Sequence, residues 1–360
     1  MSKDVYRKLA QRLDATPNGF TPTESGVELR MLAKLFAPHE AELAAVMRMS
    51  FETAADIAAR VDVDPKTAYR TLKRMVRKGL IYTQKGKGQL IFGLMPFAVG
   101  FYEEQVSTID VELAELFEQY YKETQGGGSL TQVPAIHRVI PIAEAIPADV
   151  EISSFERATE LLEEAKAWGV RDCLCRIQQR LVGQPCEHPI DNCMVFAPIE
   201  GVFDHSKDVR AITKGEAFRV LQEAAEAGLV HSVANHRDEH YYICNCCTCS
   251  CGALRSVTEF GNLTAVARSN FRAIVDEDEC SACAECVETC QFGALSVPDE
   301  VCLVDPIRCM GCGICTSSCP TGALTLERLP EVAALPLADD LEQWRVQRLK
   351  ERRLPAADIM

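Results

Sequence analysis

Cysteine is absent before Cys173 and after Cys319, although the chain of 360 residues contains eighteen. A long apolar run is also missing: the longest, Leu90 to Phe101, is too short to cross a membrane and is interrupted by a glycine and a proline. The N-terminus is charged from Lys3 onward, so we expect no secretory signal and a cytoplasmic protein. Thiols stay reduced in that compartment, which favours metal ligation over disulfide bridges.

An excess of basic charge is lacking as well. The net charge of -14 argues against the whole molecule being a nucleic-acid binder. The sequence also shows no nucleotide-binding glycine loop, no catalytic triad and no recognisable substrate pocket. These absences leave the cysteines as the carriers of chemistry. With 47% apolar residues, the chain is long enough for two or three domains, each with its own core.

Two cysteine-rich stretches repeat 29 residues apart: CSACAECVETCQFGAL from Cys280 and CMGCGICTSSCPTGAL from Cys309. Both read C-x2-C-x2-C-x3-C, the spacing with which a loop wraps three thiolates around one face of an iron–sulfur cube while a fourth reaches the other cube. Small residues between the thiols allow backbone N–H groups to approach the cluster sulfurs. A pair of zinc knuckles requires no matched four-cysteine arms, so the repeat favours iron–sulfur clusters.

The repeat resembles the bacterial dicluster ferredoxins over roughly residues 272 to 328. In one departure from that pattern, Cys290 precedes Gln291, whereas the matching Cys319 precedes Pro320; we expect this to affect the potential of one cluster. Cys302 lies on an alternating apolar stretch and is interpreted as a buried strand residue, not a ligand. The resemblance implies two [4Fe–4S] clusters, one bound by Cys280, Cys283, Cys286 and Cys319, and the other by Cys309, Cys312, Cys315 and Cys290.

A second group of thiols follows a predicted amphipathic helix over 153–168, capped by Ser153 with Glu156 and ended by Gly169. Four cysteines there read C-x-C-x10-C-x6-C. Four ligands in one neighbourhood fit one [4Fe–4S] cluster or one zinc ion, and the clusters expected elsewhere in the chain favour the cluster. Arg171 and Arg176 are suited to offset its negative charge. Nearby His188 is an alternative ligand, although a surface position beside Pro189 is favoured. The four thiols are Cys173, Cys175, Cys186 and Cys193.

The stretch CNCCTCSC, residues 244–251, follows a predicted helix that ends at Gly228 and a predicted strand, HYYIC. We expect the stretch to begin where that strand ends. Five thiols cannot all serve one site, so one is left over or completes a site shared with the 173–193 group. A further cluster, a zinc site and a redox-active dithiol stay open as alternatives. The expected ligands are Cys244, Cys246 or Cys247, Cys249 and Cys251.

The N-terminal third contains a pattern of two helices and a hairpin. A short helix (54–60) precedes a turn, Pro65 starts a second helix that runs to Lys78, and Gly79 ends it. Strands at 80–84 and 89–92 then flank the loop KGKG. Over roughly residues 35 to 95 this resembles the winged helix-turn-helix domains of MarR- and ArsR-like regulators, which implies that the second helix is a recognition helix and the loop a wing tip.

Charge in this region departs from that of the chain. Residues 52–90 hold nine Lys/Arg against four Asp/Glu. The excess fits phosphate contacts, although a solvated helix face or docking on an acidic protein explains it equally. An acidic, aromatic helix at 100–123 is a candidate for homodimerisation, and QGGGS at 125–129 predicts a flexible joint. The candidate DNA contacts are Lys66, Thr67, Tyr69, Arg70, Arg74, Lys85 and Lys87.

The sequence supports two functions. The first is an electron-transfer protein that relays single electrons to or from a partner oxidoreductase; the layout resembles the multi-cluster iron–sulfur proteins of anaerobic bacteria and archaea. The second is a redox- or oxygen-sensing winged-helix regulator. A reductive active site in the middle module is a third hypothesis, but no substrate-orienting group supports it. We expect a multidomain α+β chain divided into 1–125 (winged helix and flanking helices), 126–150 (linker), 151–262 (cysteine-rich module), 263–330 (dicluster domain) and 331–360 (helical tail).

Overall fold

A computed structural model of the protein describes residues 2–142, 145–146, 156–330 and 337–355. Within these residues, no helix is long and apolar enough to cross a membrane. All eighteen cysteines belong to one of two compact units, which contains both predicted cysteine modules. The first unit comprises Met1–Val133, Gln178–Gln184 and Arg345–Met360, and the second comprises Pro134–Ile177 and Pro185–Trp344.

The first unit is mainly helical and contains one β-hairpin. Strands β1 (Ile81–Lys85) and β2 (Leu90–Leu94) pair antiparallel, with Ile81 opposite Leu94. Short helical turns cover Phe97–Phe101, Glu103–Gln105 and Gly128–Thr131. The helices are α1 (Ser2–Asp14), α2 (Val27–Leu35), α3 (Pro38–Ala44), α4 (Ala54–Ala59), α5 (Pro65–Arg77) and α6 (Val111–Glu123).

Helices α4 and α5 and the hairpin confirm the predicted winged-helix pattern to within two residues. Thr53 and Asp56 form a reciprocal capping box at the start of α4. Asp64 caps α5 by accepting the Thr67 N–H at 2.9 Å, and Pro65 fills the first helical position. Gly79 ends this segment with a φ of 68°, where a Cβ would lie 2.6 Å from the Glu104 Cβ.

The predicted helix over 100–123 is wrong in its first half. Asp110 caps α6 by accepting the Leu113 N–H, so the helix begins at Val111. The preceding aromatic residues are buried in the same unit: the ring of Phe97 lies 4.9 Å from that of Phe20, and Tyr102 stacks on Phe117 at 4.3 Å. Homodimerisation through this region stays a prediction.

The glycine segment after α6 is folded and does not form the flexible joint that was predicted. Its three glycines all have positive φ, which lets the chain turn back on itself. Ser129 is buried, and its N–H donates to Thr21 Oγ1 at 2.9 Å. The Arg348 guanidinium donates to the carbonyls of Ser129 and Pro17, so the C-terminal helix α13 (Leu341–Glu351) closes this region.

The second unit is built on a sheet with strand order β6-β4-β5-β8-β7-β3-β9. Neighbours pair antiparallel except β3 and β9, which are parallel. Helices α7 (Ala158–Glu164) and α9 (Lys214–Glu226) pack their apolar residues with those of the sheet. The strands are β3 (His137–Val139), β4 (Ala167–Arg171), β5 (Cys193–Ala197), β6 (Arg210–Ile212), β7 (Val230–Ala234), β8 (Tyr242–Cys246) and β9 (Val266–Ala267).

The predicted helix over 153–168 is corrected to the shorter α7. Its proposed cap, Ser153, lies outside the described residues. Trp168 and Gly169 lie on β4, because this segment pairs with a strand on each side. Gly169 meets a close approach there: a Cβ would lie 2.3 Å from Val209 Cγ1. Tertiary pairing therefore overrides the helical periodicity.

The two cysteine repeats, residues 280–295 and 309–324, are called the first and second arm, and both belong to the second unit. Strands β10 (Phe271–Val275) and β13 (Leu324–Arg328) pair antiparallel around them, and β11 (Leu295–Ser296) pairs with β12 (Leu303–Val304). Buried Phe271, Leu324 and Leu326 form their core. The remaining helices are α8 (Leu174–Leu181), α10 (Gly252–Phe260), α11 (Glu285–Thr289) and α12 (Ile314–Ser317).

Candidate metal centres

The first cavity between the arms has about 320 Å³ of empty space. Four of its five cysteines come from the arms, three from the first and Cys319 from the second. The Cys302 N–H donates to Cys280 Sγ at 3.4 Å, which supplies one backbone hydrogen bond to a lining sulfur. The lining cysteines are Cys280, Cys283, Cys286, Cys302 and Cys319.

The second cavity has about 400 Å³ of empty space and is lined by three cysteines of the second arm and by Cys290 of the first. The Ala294 N–H donates to Cys290 Sγ at 3.3 Å, and the Ala273 N–H donates to Cys309 Sγ at 3.5 Å. Burial raises the pKa of Cys312 to about 12, so binding iron there must displace a proton. The lining cysteines are Cys290, Cys309, Cys312 and Cys315.

The loops that carry these thiols have left-handed residues at matching positions. Gly311 has a φ of 66°, and a Cβ on it would lie 2.1 Å from the Phe271 carbonyl oxygen, so only glycine fits. The first arm has Ala282 at the equivalent place, with a φ of 55°. Both loops therefore turn tightly around their cavity. Soft thiolates, apolar walls and backbone donors to sulfur fit an iron–sulfur cluster in each cavity.

Cys302 is a fifth thiol at the first cavity. It is buried, as predicted, but it directly precedes β12 and is not part of the strand. Its sulfur lies 3.6 Å from that of Cys286. Burial, followed by its interaction with Cys286, raises the pKa of Cys302 to about 12. It therefore stays a protonated thiol beside an expected ligand.

Six thiols of the middle module are linked to one another by hydrogen bonds between their sulfurs. They lie on or next to α8, β5, β8 and α10. Cys173 and Cys175 lie at the start of α8, and Cys193 starts β5. Because β5 pairs with β8, Cys193 is adjacent to Cys244, which lowers the pKa of Cys193 by hydrogen bonding. The remaining links join Cys173 to Cys175, Cys175 to Cys251, Cys251 to Cys246 and Cys246 to Cys244.

This grouping corrects two expectations about the middle cysteines. The stretch 244–251 does not begin after the strand: Cys244 and Cys246 lie on β8, and Cys251 directly precedes α10. Cys186 does not join Cys173, Cys175 and Cys193 in a separate four-thiol site. It lies instead with Cys247 and Cys249, which are in the turn after β8. Cys193, Cys244 and Cys246 lie on the paired strands β5 and β8 and belong to the six-thiol set.

Cys186, Cys247 and Cys249 have all three sulfurs within 4.8 Å of one another. The sulfurs of Cys186 and Cys247 are 4.0 Å apart. The Ser250 hydroxyl donates to Cys186 Sγ at 3.3 Å, a partner that the sequence did not reveal. Cys247 is buried and Cys249 is exposed, so this thiol triad reaches the surface.

Arg176 lies between the two thiol groups and is 3% exposed. Its guanidinium donates to the Pro189 carbonyl at 2.9 Å, to Asn192 Oδ1 at 2.7 Å and to the Asn245 carbonyl at 2.9 Å. Burial opposes its charge, but the sulfurs of Cys173, Cys247 and Cys246 outweigh that cost and raise the Arg176 pKa. The predicted role of Arg176 as a counter-charge therefore agrees with its position.

Gln291, the residue that departs from the ferredoxin pattern, connects the arms to the other thiols. Its side-chain oxygen accepts the Thr248 N–H at 2.7 Å, and its amide donates to the Gly228 carbonyl. Thr248 lies within the stretch 244–251. The proline at the equivalent position of the second arm has no side chain able to make these bonds.

The residues predicted to contact DNA differ in their surroundings. Tyr69 is half-buried, and its ring meets Phe92 edge-on at 6.0 Å. Thr67 caps α5 through Asp64, and Arg74 pairs with the buried Glu40 carboxylate at 3.0 Å. These three therefore have structural roles in the first unit. The other four predicted contacts are exposed basic residues on α5 and the hairpin: Lys66, Arg70, Lys85 and Lys87.

Two known families match this chain, one near each end, and both support the domains predicted there. Residues 273–296 and 303–325 match the family described as a 4Fe-4S binding domain. Residues 40–98 match the family described as the sugar-specific transcriptional regulator TrmB. This winged-helix family differs from the MarR- and ArsR-like regulators that the sequence pattern resembles. No curated protein and no solved structure matches the chain. The protein therefore contains a ferredoxin-type [4Fe–4S] domain and a TrmB-type winged helix, and the predicted multidomain α+β fold is confirmed.

Proposed function

We propose that this protein is an iron–sulfur electron-transfer protein that relays single electrons to or from a partner oxidoreductase. The observation that carries the proposal is the pair of cavities, each lined by three arm cysteines and one from the opposite arm. The match to a 4Fe-4S binding domain supports it. One [4Fe–4S] cluster would be held by Cys280, Cys283, Cys286 and Cys319, and the other by Cys309, Cys312, Cys315 and Cys290.

The clusters supply one-electron redox chemistry when bound. The protein's own residues set the conditions for it. Backbone N–H groups of Ala273, Ala294 and Cys302 donate to the lining sulfurs, which stabilises negative charge at these sites. Buried Leu295, Leu324 and the other apolar lining residues limit the access of water.

We assign a third [4Fe–4S] cluster to the six connected thiols of the middle module, four of which would act as ligands. The interactions among Cys173, Cys193, Cys244 and their neighbours join all six, and buried Arg176 offsets negative charge beside them. Zinc is the alternative occupant. Among the described residues, no three of these six sulfurs lie within 4.8 Å of one another, as the ligands of a single zinc ion would, which favours the cluster.

Metal analysis after anaerobic purification tests this proposal. We expect about twelve irons and twelve acid-labile sulfides per chain, at four irons per [4Fe–4S] cluster. Dithionite should bleach the visible absorbance and produce electron paramagnetic resonance signals of reduced clusters. A colourless protein that carries only zinc and accepts no electron would contradict the proposal, whereas about eight irons would limit it to the arms.

A redox-sensing transcription regulator is the second candidate, because the winged helix presents an exposed basic surface. Lys66 and Arg70 lie on α5, and Lys85 and Lys87 lie on the hairpin. The TrmB match covers this region. In the first candidate the same domain serves for docking or homodimerisation. A salt-dependent mobility shift of DNA from the protein's own promoter, altered by cluster oxidation, would support the regulator.

A further inference from the structure

Cys186, Cys247 and Cys249 have the spacing of ligands on a single metal ion. A tetrahedral ion with metal–sulfur bonds of about 2.3 Å places its sulfurs about 3.8 Å apart. The Cys186 and Cys247 sulfurs are 4.0 Å apart, and all three sulfurs lie within 4.8 Å. Cysteines that ligate a [4Fe–4S] cube bind four different irons, so their sulfurs lie farther apart. Among the described residues, this triad alone meets the single-ion spacing.

We propose that this thiol triad binds one zinc ion, with a fourth coordination position open to water. Three protein ligands and one exchangeable position are typical of a zinc site that handles an incoming ligand, whereas structural zinc sites are closed by four. The exposure of Cys249 places the open position toward solvent. The site is separate from the iron–sulfur clusters and does not depend on the proposed electron-transfer function.

Arg176 is the second observation that points to this ion. Its buried guanidinium lies near enough to Cys247 for their charges to interact, and it has no ion pair to a carboxylate in the described part of the chain. Its Nε has no hydrogen-bond partner there. Three thiolates around Zn²⁺ carry a net charge of about -1, which one buried guanidinium neutralises. The same guanidinium also faces Cys173 and Cys246 of the six-thiol set, so its charge contributes to both sites.

Hydrogen bonds around the triad match those that support metal-bound thiolates. The Ser250 hydroxyl donates to Cys186 Sγ at 3.3 Å. The positive charge of Arg176 acts on Cys247. Arg176 is itself held by the Asn192 side chain and the Asn245 carbonyl. One ligand therefore has a hydroxyl donor, and a second lies near a guanidinium that the surrounding fold holds in place.

The test combines metal counting with X-ray absorption at the zinc edge on the full chain, purified anaerobically and supplied with Zn²⁺. We expect one zinc per chain, with three sulfurs at about 2.3 Å and one lighter atom at about 2.0 Å. Cys249→Ala should weaken zinc binding at least 100-fold in competition with a chelator and leave the iron content unchanged. Ser250→Ala should weaken it about 10-fold by removing one donor.

Cys193→Ala is the matched control, since Cys193 belongs to the six-thiol set. It should lower the iron content and keep the zinc. Four sulfurs around zinc, or a loss of iron in Cys249→Ala, would overturn the open site. So would a Cys186–Cys247 disulfide with no zinc retained against the chelator. The iron count of the arms is read separately, so failure of the zinc site does not affect the test of electron transfer.

Discussion

The two units solve the same problem, the burial of polar groups, by different means. The first has no cysteine and neutralises its buried charges internally: Glu40 is 1% exposed and is paired with Arg74 and Lys78. The second buries thiols beside its apolar residues, with Cys246, Cys251 and Leu254 in one core. We infer that the stability of the second unit depends on bound metal, whereas that of the first does not.

The largest effect is expected from paired substitutions in the arms. Cys280→Ala with Cys319→Ala removes two thiols from the first cavity, and about four irons should be lost. Cys280→Ala with Cys290→Ala removes one thiol from each cavity, and up to about eight should be lost. Iron analysis and the number of reducible centres distinguish the pairs. If each arm held its own cluster, the two results would be exchanged.

A smaller effect, confined to the first unit, is expected from Lys78→Met. Burial favours the neutral form of Glu40, but the hydrogen bond from Lys78, the Ala37 N–H and nearby charges outweigh it and lower the Glu40 pKa. The free energy of unfolding should fall by about 2 kcal/mol at pH 7, because a buried carboxylate loses one of its two cations.

The pH dependence of this variant follows from the depressed pKa. The stabilisation from ionised Glu40 is present above its ordinary pKa of 4.5 and is lost as the pH falls through the lower folded value. Urea unfolding at several pH values should show the variant and the wild type converging in acid. Lys73→Met, on the exposed face of α5, is the control. Equal stability of both proteins at pH 7 would contradict the role of Lys78.

Cys302→Ala should shift the reduction potential of the cluster expected in the first cavity without removing iron. The thiol lies 3.6 Å from Cys286 and is protonated, so it can donate to a ligand sulfur. Loss of a hydrogen bond worth about 1 kcal/mol corresponds to a potential lower by a few tens of mV for one cluster. Protein-film voltammetry measures the shift. A loss of about four irons would instead identify Cys302 as a ligand.

The smallest effect tests the second candidate function. If the first unit binds DNA, Arg70→Ala should lower affinity severalfold and reduce the salt dependence by about one phosphate contact. Arg74→Ala should reduce the stability of the first unit, because Arg74 pairs with Glu40. Binding measured across a salt series separates the two variants. Unchanged DNA affinity in Arg70→Ala would remove this helix face from the interface.

Local sequence determined the winged-helix segment of the first unit and both arms. Caps at Thr53 and Asp64 and the terminator Gly79 mark the winged helix, and the cysteine repeat places its thiols around two cavities. Each of these signals acts within a few residues. The middle thiols were grouped incorrectly because the pairing of β5 with β8 decides which cysteines meet. The partners of Glu40 likewise come from a distant helix, which no periodicity indicates.

The hydrogen bonds of Gln291 tie the two arms to the rest of the second unit, so the arms are not structurally independent of it. Excising them would leave this amide without Thr248 and Gly228, and the Cys312 carbonyl without the Ile142 N–H that it accepts at 3.0 Å. Phe292 and Met310 would lose the apolar neighbours that they share with Leu254. We therefore expect the two arms, expressed without residues 134–262, to be less stable than the same arms in the full chain.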